Sequence, residues 1–120
     1  MAPRRDSSED ESGGSWLLQQ IKELFRAGSY RFSLHATHQT IDRVITTVEI
    51  EEAVFSELAE VIEDYPDDPR GPSCLILGWT ANGRPLHVQV SYPPLVVLIT
   101  IYEPDDERWL YHRKRRMEDE

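Results

Sequence analysis

The chain has one cysteine, Cys74, so no disulfide can close within it and no pair of thiolates is available to start a zinc site. A reducing, intracellular compartment follows as the expectation. Long hydrophobic runs are missing too: the longest, LVVLITIY, falls far short of the ~20 residues that a membrane-spanning helix needs. The N-terminus MAPRRDSSEDESGG lacks the apolar core of a secretory signal. The reading is a cytoplasmic protein with no membrane partner. Positive charge is scarce, with 13 Lys and Arg against 22 Asp and Glu and a net charge of -9. Residues 30–102 hold four basic and ten acidic side chains, the most acidic stretch of the chain. Such a balance counts against a broad surface that tracks nucleic-acid phosphates, because that affinity comes mainly from lysine and arginine.

What remains is enough for one small globular domain: 120 residues, 39% hydrophobic, 29% charged. Residues 1–14 carry no periodic apolar pattern and are expected to form a disordered acidic tail. A single domain is expected over 15–110, and a charged C-terminal tail, solvated and frayed, over 111–120. Ser15 can cap a first helix whose Leu17, Leu18, Ile21, Leu24 and Phe25 recur at helical spacing, with Gly28 as its left-handed stop. Ser33 caps a second helix through about Arg43. Thr46 and Glu49 form a capping box for a third, with Ile50, Ala53, Val54 and Leu58 as its buried stripe. Beyond Leu58 the period shortens to two, with Val61, Glu63 and Tyr65 opposed to Ile62 and Asp64, until YPDDPRGPS interrupts. SCLILGW and PLHVQVSY follow as antiparallel neighbours around Asn82-Gly83, and LVVLITIY is the last strand, after Pro93-Pro94. The fold class is α+β, with N-terminal helices packed on one face of a four-stranded antiparallel sheet.

Two segments concentrate the polar chemistry. On a helical wheel of SLHATHQTIDR, Gln39 and Asp42 fall within about 40° of His35 and Arg43 at about 80°, opposite Leu34, Ile41 and Ile45, with His38 on the boundary. Strand alternation sends Leu86, Val88, Val90 and Tyr92 to one face and His87, Gln89 and Ser91 to the other, where Thr100 and Tyr102 can join them. A packed, hydrogen-bonded histidine and a half-solvated sheet face are the plain readings of both. Metal binding through His35, His38 and His87 has little behind it, since HExxH, thiolate partners and zinc-finger spacing are all absent. No metal and no cofactor are expected.

Three blocks, FSLHATHQTIDRVITTVEIEEA, VIEDYPDDPRGPSCLILGWTANGRPLHVQVS and LITIYEPDDERW, resemble a bacterial family, domain of unknown function 4258, over roughly Tyr30 to Trp109. That family in turn resembles the RelE/ParE-like small toxins, whose helices precede a four-stranded antiparallel sheet. Its SxHA block falls on Ser33 and His35, its helix arginine on Arg43, its YPDD block on Tyr65 to Asp68 and its strand histidine on His87. Gln39 and Thr40 stand where the family often has arginine and methionine, so the face around His35 has one positive charge fewer. The resemblance implies a toxin or toxin-related protein of a toxin-antitoxin pair, partnered by a small antitoxin or another regulatory protein, with RNA as candidate substrate. Cleavage by 2'-OH attack needs a base, an acid and a cation for the phosphorane, which His35, His87, Tyr102 and Arg43 supply as candidate catalytic residues. A non-catalytic protein-binding module on the same fold is the alternative, favoured by the acidity of residues 30–102.

Overall fold

The computed structural model describes residues 6–116. Helix α1 spans Asp6–Arg26, so Ser15 lies inside it rather than capping it. Of the tail expected over 1–14, residues 1–5 lie outside the described residues. Leu17, Leu18, Ile21 and Phe25 are the buried face, as the spacing predicts. Gly28, at φ 69°, ends the helix: its N–H donates to Phe25 O and that of Ser29 to Leu24 O, the two bonds of a Schellman stop.

Strand β1 (Tyr30–Phe32), helix α2 (Leu34–Asp42) and helix α3 (Thr47–Phe55) follow. Ser33 accepts from Ala36 N as the cap of α2, and Thr46 and Glu49 form the full capping box of α3. Ile50, Ala53 and Val54 are buried, but α3 stops at Phe55 and leaves Leu58 70% exposed, so Leu58 does not join the stripe.

The second helix ends like the first. Val44 N–H donates to Ile41 O and Ile45 N–H to Thr40 O, again a Schellman stop, yet the left-handed position at φ 53° holds a β-branched valine. Arg84 clamps this corner, donating to the carbonyls of Arg43 (3.2 Å) and Val44 (3.1 Å) and pairing with Glu49 and Glu103. Because glycine removes the Cβ clash at that φ, Val44→Gly should stabilise the fold by about 1 kcal/mol. A lowered urea midpoint in that variant would show that exposed Val44 is held by contacts rather than tolerated in spite of strain.

Strands β2 (Glu60–Tyr65), β3 (Ser73–Trp79), β4 (Pro85–Ser91) and β5 (Val96–Tyr102) are the four expected ones, paired antiparallel in that order. The β3–β4 hairpin turns over Thr80–Gly83, with Gly83 at φ 85°. The sheet is nevertheless five-stranded and mixed, not four-stranded and antiparallel: β1 adds to the far edge of β5 in parallel, Tyr30 against Val96 and Phe32 against Leu98, giving the order β1-β5-β4-β3-β2. All three helices cover one face. There Cys74, Ile76, Leu86, Val88, Val90, Val96, Leu98 and Ile101 meet Leu18, Ile21, Ala36, Ile50 and Val54 in one buried cluster.

Two bulges decide which residues reach the other face. In β5, Gln89 pairs with Thr100 and Val90 with Leu98, so Ile99 is the extra residue. Strict alternation would send Thr100 and Tyr102 to the same side as Val96 and Leu98; the bulge flips the parity and sets Tyr102 opposite His87. In β2 the register slips at Ile62, which places Val61 toward the helices while Glu60, Glu63 and Tyr65 lie beside Leu77, Leu75 and Ser73 on the second face.

Candidate functional site

In line with Glu60 of β2 and two strands away from it, His87 occupies the centre of the second face, between Leu77 of β3 and Tyr102 of β5. It has no exposed surface. What covers it is the C-terminal segment, which returns as a small hairpin of β6 (Trp109–Leu110) and β7 (Lys114–Arg115). The carbonyl of His112 can only accept, so His87 Nε2 carries the proton and donates to it. Nδ1 is then the acceptor, and Tyr102 OH donates to it at 3.1 Å. Both ring nitrogens are used, and the tautomer is set by its neighbours.

The surroundings hold the pair neutral. Burial pushes the His87 pKa below its ordinary value, against the raising effects of the His112 carbonyl and the Glu63 charge. Burial likewise raises that of Tyr102, with Arg115 and, more weakly, Arg43 pulling it back. Trp109 meets the His87 ring edge to face, centroids 4.4 Å apart and planes at 89°, and Arg115 lies over the Trp109 ring at 4.6 Å. Outside this aromatic centre Arg113 pairs with Glu60 at 2.6 Å and Arg115 with Glu63 at 2.8 Å, while Tyr65 OH also donates to Glu63. The basic cluster read as a frayed end is thus docked through Arg116, and residues 117–120 lie outside the described residues.

His35 and Arg43 lie on a helix. Both are exposed on α2, and His38 is exposed as well rather than half-buried. The helix is turned from the orientation its periodicity predicts: Leu34 and Ile41 are 72% and 69% exposed, whereas Ala36 and Gln39 are buried. The reason lies in the edge of β5. β1 covers that edge only as far as Leu98, and α2 supplies partners beyond it: Ser33 Oγ donates to Ile99 O at 3.2 Å, and Gln39 Oε1 accepts from Ile101 N at 2.7 Å. With Gln39 rather than Leu34 or Ile41 turned toward the sheet, the Ile101 N–H of this edge has its partner. The structure therefore brings His87 and Tyr102 together, while His35 and Arg43 face solvent on α2, with the Arg43 charge near enough to act on Tyr102.

The periodicity arguments missed Trp109, Glu60 and Glu63. The remainder of the second face is open: a groove of about 590 Å³ lies over Gln89, Val97 and Ile99, with Arg70 and Asp68 at its margin. Among the described residues no group of three or more His, Cys, Asp or Glu side chains converges as metal ligands would. Nor is any helix among them long and apolar enough to cross a membrane.

A mixed α+β sheet covered on one face by three helices, with a strand histidine at the middle of the other, is the domain these residues define. The chain belongs to the family described as Domain of unknown function (DUF4258), whose model matches residues 32–103. The matched stretch contains His87 and Tyr102 but stops before Trp109 and the hairpin that covers them. No curated protein and no solved structure matches the chain.

Proposed function

We propose that this chain is a protein-binding module in which His87 and Tyr102 organise a docking face rather than perform chemistry. The observation that carries the reading is the burial of His87 with both ring nitrogens engaged, by Tyr102 OH and by the His112 carbonyl. A general base must reach the proton it removes. Here that proton would belong to a ribose hydroxyl, and the covering hairpin stands between. The acidic side chains at the margin, Glu60 and Glu63, and the excess of acids over residues 30–102 repel a phosphate backbone and suit a basic protein segment.

One observation favours a second reading, a RelE/ParE-like endoribonuclease of a toxin-antitoxin pair: the Tyr102 hydroxyl sits on His87 Nδ1, an acid beside a base. In that case lifting of the hairpin would free Nε2; with the ring proton moved to Nδ1 and donated to the Tyr102 oxygen, Nε2 would take the 2'-OH proton and the released Tyr102 hydroxyl would protonate the leaving 5'-oxygen, with Arg43 and His35 contributed from α2. A small antitoxin would then be the partner. Inducing the full chain without any partner separates the two. The binding module leaves growth unaffected, and the purified protein leaves RNA intact with or without ribosomes. Growth arrest and RNA cleavage that both vanish in Tyr102→Phe, which keeps the ring and removes the acid, would replace it with the nuclease.

A further inference from the structure

The C-terminal hairpin meets the second face with two kinds of contact. Trp109, 3% exposed, presents its ring to His87, and Arg113 and Arg115 reach Glu60 and Glu63 on the edge strand β2. An indole in an apolar centre with guanidinium groups on a carboxylate margin is the composition of a hot spot inside a polar rim. Only one contact to His87 is backbone, the His112 carbonyl, and any extended segment carries such a carbonyl.

The hairpin holds this position at a cost. Tyr111 and His112 sit at φ 55° and 67°, two consecutive side-chain-bearing residues in the left-handed region. His112 Nδ1 is buried with no partner. The ladder between β6 and β7 is two residues long, and Arg113 and Glu60 are each 44% exposed, so neither the ladder nor that ion pair holds the segment strongly. A segment entering from outside would make the Trp and Arg contacts without the strained turn and without the orphaned imidazole.

We infer that the sheet face around His87, margined by Glu60 and Glu63, is a docking surface for an extended basic segment of a partner protein bearing one tryptophan and nearby arginines, and that the chain's own C-terminal hairpin occupies it until displaced. The inference rests on the binding-module reading and names the partner's chemistry. Nucleic acid is the wrong charge for this margin. The docked tail has the advantage of tethering, so a competing segment binds in proportion to how often the tail is open.

The test uses the full chain and a fluorescein-labelled synthetic peptide of sequence DDERWLYHRKRR, identical to residues 105–116. Arg113→Glu with Arg115→Glu sets like charges against Glu60 and Glu63 and frees the face without altering it; Arg115→Ala serves in its place if the double variant does not fold. The freed chain should bind the peptide at least about tenfold more tightly than the unaltered chain. Binding should be lost when the peptide's tryptophan is alanine, and weakened when Glu60 and Glu63 are changed to glutamine in the freed chain, which offers the glutamates at 113 and 115 no new cation. Equal, absent or tryptophan-independent binding in a folded, freed chain overturns the inference. Elution of the unaltered chain as a dimer that excludes the peptide overturns it as well, assigning the face to the tail of a second copy. Failure here with RNA left intact removes only the partner chemistry, whereas RNA cleavage lost in Tyr102→Phe removes the module reading itself.

Discussion

Gly78→Ala should unfold the domain or leave it several kcal/mol less stable. Gly78 lies in β3 directly beneath α3, and a Cβ built there meets Ala53 O at 2.0 Å and Ala53 C at 2.6 Å. Both are backbone atoms, so no rotamer change relieves the clash. The helix must move away from the sheet, and Ile50, Ala53 and Val54, all with no exposed surface, move with it. Overpacking a core commonly costs about 1–3 kcal/mol when side chains absorb it; displacing a helix should cost about 3–5 kcal/mol out of a total stability of about 5–15. Urea unfolding followed by circular dichroism measures it. A second variant identifies the cause: Ala53→Gly trims a methyl that takes no part in the clash and weakens the helix, so Gly78→Ala with Ala53→Gly should be at least as unstable as Gly78→Ala. Wild-type stability in either would mean that α3 does not ride this close to β3.

The close approach had one weak signal in the sequence, a single glycine inside an otherwise apolar strand, which marks a bulge as readily as a neighbouring backbone. Local chemistry was legible: Gly28, the Ser33 cap, the Thr46–Glu49 box and the Asn82-Gly83 hairpin stand where short-range rules put them. What those rules could not reach was set by pairing at a distance. β1 is three residues long, too short to show alternation, and its parallel partner begins 66 positions later at Val96. The bulges at Ile62 and Ile99 shift the parity of strands whose composition still alternates, and only the register reveals them. The rotation of α2 was misjudged because hydrophobicity marks Leu34 and Ile41, while the edge of β5 needs the oxygen of Gln39.

The polar face was readable in part. His87 and Gln89 share it as alternation suggests and Tyr102 joins them through the bulge at Ile99, but alternation gives no sign that the face would be covered. The one sign lies inside DERWLYHRKRR: a tryptophan among charges, followed by arginines that complement Glu60 and Glu63. Charge density made the stretch look solvated. A buried indole and two long-range ion pairs bind it to the sheet instead, and no period-counting argument joins residues some 50 positions apart.

His87→Leu should cost about 3 kcal/mol although leucine is the more hydrophobic residue. It leaves the Tyr102 hydroxyl and the His112 carbonyl without their partner in a buried setting, each worth about 1–3 kcal/mol, and restores only part of that by burial. Acid should act on the same group reversibly. Burial keeps the folded-state pKa of His87 below its ordinary value of 6.5, so the unfolded chain takes up the proton first. Its contribution is therefore complete above about pH 6.5 and is lost progressively as the pH falls below it, by about 1.4 kcal/mol for each unit the folded pKa lies lower. Carboxylates held below their usual range, Glu49 by the Thr46 backbone and Asp68 by Arg70, lose their contributions only at lower pH, so the interval from 7.5 to 5.5 lies above them, and His87→Leu is the control for the other histidines. Urea midpoints taken across that interval should fall for the wild type and stay level for His87→Leu. Protonation puts hydrogen on Nδ1, where Tyr102 OH must then stop donating, and it sets a charge beneath Trp109; the hairpin should loosen before the sheet does. Faster amide exchange in β6 and β7 at pH 5.5 than at 7.5, after correction for the intrinsic rates, with β3 and β4 still protected, is the expected order. A wild-type midpoint that stays level across the interval would mean that His87 accepts its proton in place, and that the ring is not held neutral by burial.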